Sequence, residues 1–504
     1  MTLASPFHES LHDGMPAGAP TQADTPYADA VRAYAAAGHV RLDVPGHSGQ
    51  ARHHPELAEM FGEQVLRLDV PPLTDGIDTG AAPTPMEQSM DLAAQAWGAK
   101  RTWLLTNGAS KGNLVTCLTL RHLGEHIVCQ RSMHSSVMDG MVLGGLTGHF
   151  MEPDMDATLG VAHGITPEKL AATLDAHPEA VAAYVVTPSY FGTVSDVRAL
   201  AEVAHARGVV LVVDEAWGAH FGFHPDLPEN ALRQGADLVI SSTHKLGGSL
   251  TQSAMLHLGG RYAELLEPLI ERTFRSMQST SASSLLMMSL DIARHSLAWH
   301  GRERIQRSLD AVSALRAGLR AGGRFTDLAD RFASSPSVVA IDPLRVAINT
   351  RAGGIGGHQA RKILFDEHRI HFEMSTDSAV VGVVGAGSEP DVDRVLAALH
   401  GLPDQGAANA EPLALPPTGR SVLSLREAYF APTEVIESRD AAGRISADSL
   451  AAYPPGIPNV LPGEVFTEEV LEYLRRTAES PFGHVRGALD ASMSTVRVLL
   501  SREG

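Results

Sequence analysis

The feature that most limits how this chain can fold is a series of short, nearly continuous apolar runs set between helical patterns. RTWLLTNG (101–108), HIVCQ (126–130), AAYVVTP (182–188), VVLVVDE (209–215) and ADLVISS (236–242) place apolar residues at successive positions rather than alternate ones. Strands of that kind must be covered on both faces, a condition met by a mostly parallel sheet between two layers of helices. The segments between them have helical spacing, as in VRALAEVAHARG (197–208), where Gly208 suits the end of a helix. The succession predicts an α/β domain from about Leu42 to His300.

A chain of 504 residues exceeds what one core usually accommodates, so two or three domains are expected. Residues 1–41 read as an arm followed by a short Ala-rich helix over Tyr27–Ala37. A large domain is expected over 42–300, with a long helix from about Leu285 to Ala321 leading out of it. Strand-like segments at 337–349 and 378–387, with helices near 358–366 and 390–400, predict a smaller α+β domain over 301–401. Residues 402–419, rich in Pro, Gly and Ala, read as a linker, and 420–504 as a third, C-terminal unit.

The net charge of −18 argues against nucleic acid or an anionic membrane as a general partner. Cys117 and Cys129 are the only cysteines, which points to a reducing compartment rather than a disulfide framework. No signal-like segment opens the sequence and no run of about 18 apolar residues occurs, so a cytoplasmic location is expected.

The chemistry is concentrated where apolar runs end. LVVDEAWGAH puts Asp214 at one strand end, and ISSTHKLGG puts Lys245 just beyond another. A lysine and a carboxylate in this order suit pyridoxal phosphate (PLP, pyridoxal 5'-phosphate). The amine forms a Schiff base with the cofactor aldehyde, and the carboxylate keeps the pyridine nitrogen protonated so that the ring accepts electrons. TNGASKGN (106–113) stands at a strand-to-helix junction, where small residues let backbone N–H groups approach a phosphate. Ala109 and Ser110 are assigned to that phosphate, with Ser242 and His244 approaching from the lysine loop. His134, in RSMHSSV (131–137), is placed to stack on the cofactor ring. His53, His54, His122 and His126 do not form a recognisable metal set by spacing, and no metal is expected. AGGIGGHQA (352–360) lacks the dinucleotide-binding context and reads as a loop.

These motifs, with PGHSG (45–49), GIDTG (76–80), TPSYFGTVSD (187–196), QSTSASS (278–284), MMSLDIAR (287–294), AAGRISADSL (441–450) and YPPGIPNVLPGE (453–464), resemble the PLP-dependent ornithine/lysine/arginine decarboxylases of fold type I in their short bacterial form. The resemblance runs from about Leu42 to Leu474. It implies an aspartate-aminotransferase-like large domain, Lys245 as the Schiff-base lysine, Asp214 as the pyridinium partner and His134 as the stacking residue. It also implies Ala109, Ser110, Ser242 and His244 at the phosphate, Ala216 against the ring, and Thr187 or Ser189 at the ring hydroxyl. Ser279 and Thr280 match a segment that reaches the neighbouring subunit's site, so a homodimer or higher homo-oligomer with shared sites is expected. The sequence departs from the family pattern at Ser48, Ser135, Pro71–Pro72 and Thr79, in loops that bear on the substrate entrance.

The expected reaction is α-decarboxylation of a basic L-amino acid, arginine or lysine ahead of ornithine. Lys245 or His244 would return the proton to Cα, and Glu434 would meet the substrate's distal cation. Two alternatives compete: another fold type I PLP activity such as an aminotransferase or lyase, and a catalytically inactive regulatory paralogue. The YPPGIP–PGE unit favours the decarboxylase over the first, and retention of Lys245, Asp214 and His134 argues against the second.

Overall fold

The computed structural model describes residues 19–406, 416–453, 456–479 and 483–500. The start of the expected arm, the middle of the linker and Pro454–Pro455 of the YPPGIP motif lie outside the described residues. The first helix, α1 (Pro26–Ala36), starts on a proline, which supplies a helical φ where no amide donor is needed. Further along, beyond two short helices, α2 (Pro85–Trp97) is held by a capping box. Thr84 Oγ1 accepts from the Glu87 N–H at 3.2 Å, while the Glu87 carboxylate accepts from the Thr84 N–H at 2.7 Å.

The large domain is built on seven strands: β1 (Arg101–Leu105), β2 (His126–Gln130), β3 (Thr147–Met151), β4 (Ala180–Val186), β5 (Val210–Asp214), β6 (Leu238–Ser241) and β7 (Ala254–Leu258). Their order is β1-β7-β6-β5-β4-β2-β3. The block from β6 to β3 is parallel, and β7 runs antiparallel between β6 and β1. Successive residues of each strand feed opposite cores. Val128, Val185, Val213 and Val239 enter one, and Ile127, Tyr184, Val212 and Ile240 enter the other. This two-sided burial is the physical origin of the uninterrupted apolar runs. The edge strand β3, sequence TGHFM, is only half-buried over its first four residues and therefore lacks that signal.

Four helices shape the site: α3 (Gly108–Leu120) after β1, α4 (Ser135–Gly144) after β2, α5 (Val197–Ala206) before β5, and the four-residue α6 (Thr243–Leu246) after β6. In α5, the N-cap Asp196 accepts from the Ala199 N–H at 3.0 Å, and Gly208 beyond its end takes φ +74°. The long helix α7 (Ser284–Gly322) spans 39 residues and crosses the 300/301 boundary unbroken. The MMSLDIAR motif lies on it and anchors the N-terminal segment. Buried Asp291 accepts from the backbone N–H groups of Tyr27 and Ala28 at 3.1 and 3.2 Å, and pairs with buried Arg294.

The smaller unit carries β8 (Thr326–Asp327), β9 (Arg345–Asn349), β10 (Met374–Ser375) and β11 (Ala379–Val383), ordered β8-β9-β11-β10 and antiparallel. The C-terminal unit has β12 (Thr433–Glu437) paired with β16 (Thr495–Leu499), and a three-stranded sheet of β13 (Leu450–Tyr453), β14 (Pro458–Val460) and β15 (His484–Arg486). It is fastened to the end of β2 by a buried fork. Arg131 Nη1 and Nη2 each donate to Glu464 at 2.7 Å, and Arg131 Nε donates to the Pro458 carbonyl at 3.0 Å.

Candidate active site

The carboxyl ends of the parallel strands converge on the residues singled out from the sequence. Asp214 terminates β5 and is 3% exposed. Its carboxylate accepts from the Ala216 N–H at 3.0 Å and, more weakly, from Asn113 Nδ2 at 3.4 Å. Among the described residues it forms no ion pair. A buried carboxylate without a cation is costly, so an arriving cationic ring nitrogen would find an anion already desolvated for it. This orphan charge is the structural test that the pyridoxal cofactor passes here.

Lys245 lies on α6, one strand over. Its Nζ sits 3.8 Å from the centre of the Trp217 ring. Burial, opposed by the charge of Asp214 and assisted by that of Arg345, lowers its pKa from 10.5 to about 8. A substantial fraction of the amine is therefore neutral near physiological pH, as attack on an aldehyde requires. On the same Trp217 ring lies the guanidinium of Arg345, 4.0 Å from the centre. Arg345 opens β9 and is buried. It donates to the Tyr190 carbonyl at 2.9 Å and approaches Asp342 Oδ2 at 3.7 Å, while its Nη2 has no hydrogen-bond partner. Burial brings its pKa down to about 10.

His134 is the N-cap of α4. Its Nδ1 faces both the Ser136 N–H at 3.2 Å and the Ser136 hydroxyl at 2.8 Å. Ser136 Oγ in turn accepts from Asn113 Nδ2 at 2.9 Å, and Asn113 Oδ1 accepts from Tyr184 Oη at 2.6 Å. With Nδ1 accepting, the ring proton is assigned to Nε2 and the imidazole is neutral. Burial lowers the pKa of His134, which is consistent with that tautomer. A single amide, Asn113, thus couples His134 to the buried aspartate.

The start of α3 is an open helix terminus, able to receive a phosphate. Asn107 precedes α3 without a side-chain cap, leaving Ala109 and Ser110 in the first turn of a 13-residue helix. Ser242, buried, precedes α6 and also makes no capping bond. His244, adjacent to Lys245, has its pKa lowered by burial and then by the lysine charge, against the field of Glu373. Thr187 Oγ1 accepts from the Ser195 N–H at 2.9 Å, which leaves its own proton to donate. Ser189 is more committed, because its Oγ bonds Thr193 Oγ1 at 2.6 Å and accepts from two backbone N–H groups of the same turn. Ala216 follows Asp214 closely and gives it a backbone donor. Ser279 and Thr280 are exposed in the turn before α7, where Ser279 Oγ meets Ser281 of the same turn.

Glu434 is engaged within its own unit. It lies on β12 in the C-terminal unit, where Arg444 Nη2 donates to its carboxylate at 2.5 Å. That pair compensates its charge, and among the described residues no hydrogen bond or ion pair joins it to Lys245 within one chain. The acid whose field reaches Lys245, His244 and Arg345 together is instead Glu373, just before β10. Asn113, Ser136 and Trp217 also join the site without having been singled out, although each stands inside a motif that the sequence displays. Arg345 and Glu373 come from the smaller unit, at least 100 residues beyond the lysine, and no local pattern marks them.

The chain is similar to known proteins over most of its length. The model for the Orn/Lys/Arg decarboxylase major domain matches residues 25–383, and that for the C-terminal domain of the same decarboxylases matches 423–482. The chain is 32% identical to the arginine decarboxylase of Bacillus subtilis over 95% of its length and 98% of that protein. It is also 32% identical to the arginine decarboxylase of Halalkalibacterium halodurans, covering 96% and 99%. Among solved structures, the lysine decarboxylase of Francisella novicida superposes with a TM-score of 0.79 at 19% identity, over 94% of this chain and 81% of that one, which establishes a shared fold. The chain belongs to the Orn/Lys/Arg decarboxylase family.

Proposed function

We propose that this protein removes the α-carboxyl group of arginine, using pyridoxal phosphate held on Lys245 in a site completed by a second copy of the chain. The observation that carries this reading is the buried Asp214 carboxylate, without an ion-pair partner among the described residues, one strand from a buried lysine whose pKa is lowered to about 8. The cofactor would supply an electron sink for the pair left on Cα when CO2 departs. Asp214 holds the proton on the ring nitrogen. His134, neutral and fixed through Ser136, would stack on the ring. Ala109, Ser110, Ser242 and His244 receive the phosphate, Ala216 packs against the ring, and Thr187 donates to the ring hydroxyl. Lys245 Nζ and His244 are the groups placed to return a proton to Cα.

The choice of arginine rests on the two full-length relatives described as arginine decarboxylases. Glu373, whose charge reaches Lys245 and His244, is a carboxylate near the site that could meet a cationic side chain. The second subunit is supported by the exposed turn bearing Ser279 and Thr280, and by Val40, Leu42 and Val44, which are 92%, 99% and 70% exposed in the isolated chain. No helix among the described residues is long and apolar enough to cross a membrane.

The test is a panel of carboxyl-labelled arginine, lysine and ornithine, scored for labelled CO2 and for agmatine, cadaverine or putrescine. Arginine is expected to turn over fastest, with no keto acid required. Dependence on a keto acid would instead mean an aminotransferase, and silence on all three with cofactor bound would remove the decarboxylase assignment.

A further inference from the structure

We infer that the opposite end of the central sheet carries a binding site for a divalent transition metal of the zinc type, built from His126, His149 and Glu179 with His177 beside them. His126 opens β2, where it pairs with Ala180, the first residue of β4. Glu179 immediately precedes β4. His149 lies in the middle of the edge strand β3, in register with Val128 of β2. Three separate segments therefore bring four ligand-type side chains to one corner of the sheet.

Their distances have the dimensions of a coordination sphere. His126 Nδ1 lies 3.1 Å from His149 Nε2, and Glu179 Oε1 lies 3.8 Å from the first and 3.4 Å from the second. Tetrahedral zinc with ligand bonds of about 2.0–2.1 Å has ligand-to-ligand edges of about 3.3–3.4 Å. The point equidistant from the three atoms is about 2.0 Å from each, given edges of 3.1, 3.4 and 3.8 Å, so an ion fits with little movement of the ligands. His177 Nδ1 stands 3.5 Å from the same Glu179 oxygen, and its ring stacks on His149 with centroids 3.6 Å apart. The fourth vertex is thus open to water, with a further imidazole within reach.

The arrangement is hard to explain as packing alone. Three imidazoles lie nearly parallel, with interplanar angles of 11° and 18°, so protonating more than one would set like charges in contact. His126 Nδ1 and His149 Nε2 face each other at 3.1 Å, so one proton serves both, and Glu179 Oε1, which cannot donate, lies 3.8 and 3.4 Å from them. A cation at the shared point would replace that proton and bind both ring nitrogens and the carboxylate at once. The rings and the carboxylate are half-buried or exposed, so an ion can enter without unfolding.

The site stands about 13 Å along β2 from its carboxyl end, a strand's length away from the lysine and aspartate. A metal here would take no part in the reaction. It would clamp the edge strand β3 to β2 and β4, reinforcing the single ladder of backbone hydrogen bonds between β3 and β2.

The experiment uses the cofactor-bound protein, purified without a histidine tag, stripped with chelator and titrated with Co2+ and Zn2+. About one Co2+ per chain should bind, with the visible absorption of a four- or five-coordinate ion, and Zn2+ should displace it. Zn2+ should also raise the unfolding midpoint with concentration, as a native-state ligand must. Both signals should vanish in His149→Ala and in Glu179→Gln, the second being a surface change that leaves the strands untouched. His122→Ala, on an exposed histidine outside the cluster, should retain them, and carbon dioxide release should be unaffected in all three. Absence of a cobalt band and of any zinc-dependent midpoint shift in the unaltered protein would overturn the inference. So would signals that persist in both cluster variants.

Discussion

Asp214 and Glu464 are both carboxylates with 3% exposure, and both lie at the carboxyl side of the central sheet. Their partners differ completely. Glu464 is gripped by Arg131 through two 2.7 Å bonds and accepts a third from the Leu461 N–H at 2.8 Å. Asp214 has one good backbone bond, one long amide contact and no ion pair among the described residues. The fold therefore satisfies one buried charge in full and leaves the other waiting. A satisfied charge fixes how two units of the chain sit together, whereas an unsatisfied one is stability forgone for chemistry.

The comparison fails if the two residues respond alike to mutation. Glu464→Gln removes the charge that meets both 2.7 Å bonds of buried Arg131, leaving it only Glu152 at 3.5 Å and the Pro458 carbonyl, and should cost about 3 kcal/mol of stability, read by denaturant unfolding. Replacing both residues by apolar side chains of similar size should recover most of that loss. Asp214→Asn should leave folding nearly intact but lower kcat by about 10²-fold or more, because the ring proton loses its counter-charge. A variant of Asp214 that unfolds like Glu464→Gln would show that its carboxylate is structural after all.

Lys245 supplies a third contrast through pH. Its pKa of about 8 in the folded chain lies below the ordinary 10.5. Between those values the unfolded chain holds a proton that the native chain has released, so stability of the cofactor-free protein rises with pH across that window. Below about 8 the cost of burying the charged amine is present in full. Lys245→Met should remove this rise and be more stable than the unaltered chain at neutral pH, measured as the difference between the two unfolding curves from about pH 7 to about pH 11. The smallest effect is expected at Glu434. Its half-exposed pair with Arg444 is worth at most about 1 kcal/mol, and Glu434→Gln should leave turnover unchanged. A rise in KM for arginine alone would return Glu434 to the substrate site.

Much of this architecture is legible in the amino-acid sequence, and the reason is two-sided burial. Strands such as VVLVVDE have to be apolar at every position because each face meets a different core, so β2, β4, β5 and β6 stand out of the sequence. Lys245, Asp214, His134, Ala109 and Ser110 are equally visible because each ends or closely follows such a strand. The hidden parts are hidden for equally physical reasons. The strand β3 is only half-buried along most of its length, so TGHFM carries no strand signature, and the histidine cluster built on it cannot be read from spacing. Arg345 and Glu373 reach the lysine only because the smaller unit folds back over it. Glu434 looks available in the sequence because its partner Arg444, ten residues away, is joined to it only by the pairing of β12 with β16 and the turn that follows β12.

The most direct test of the central claim is borohydride reduction of the protein reconstituted with pyridoxal phosphate, followed by peptide mass mapping of the unaltered chain and of Lys245→Ala. The expected result is one pyridoxyl-modified peptide, containing Lys245, with no modified peptide and no CO2 release from arginine in the variant. A modified peptide centred on another lysine, or undiminished CO2 release from Lys245→Ala, would contradict the assignment of this site.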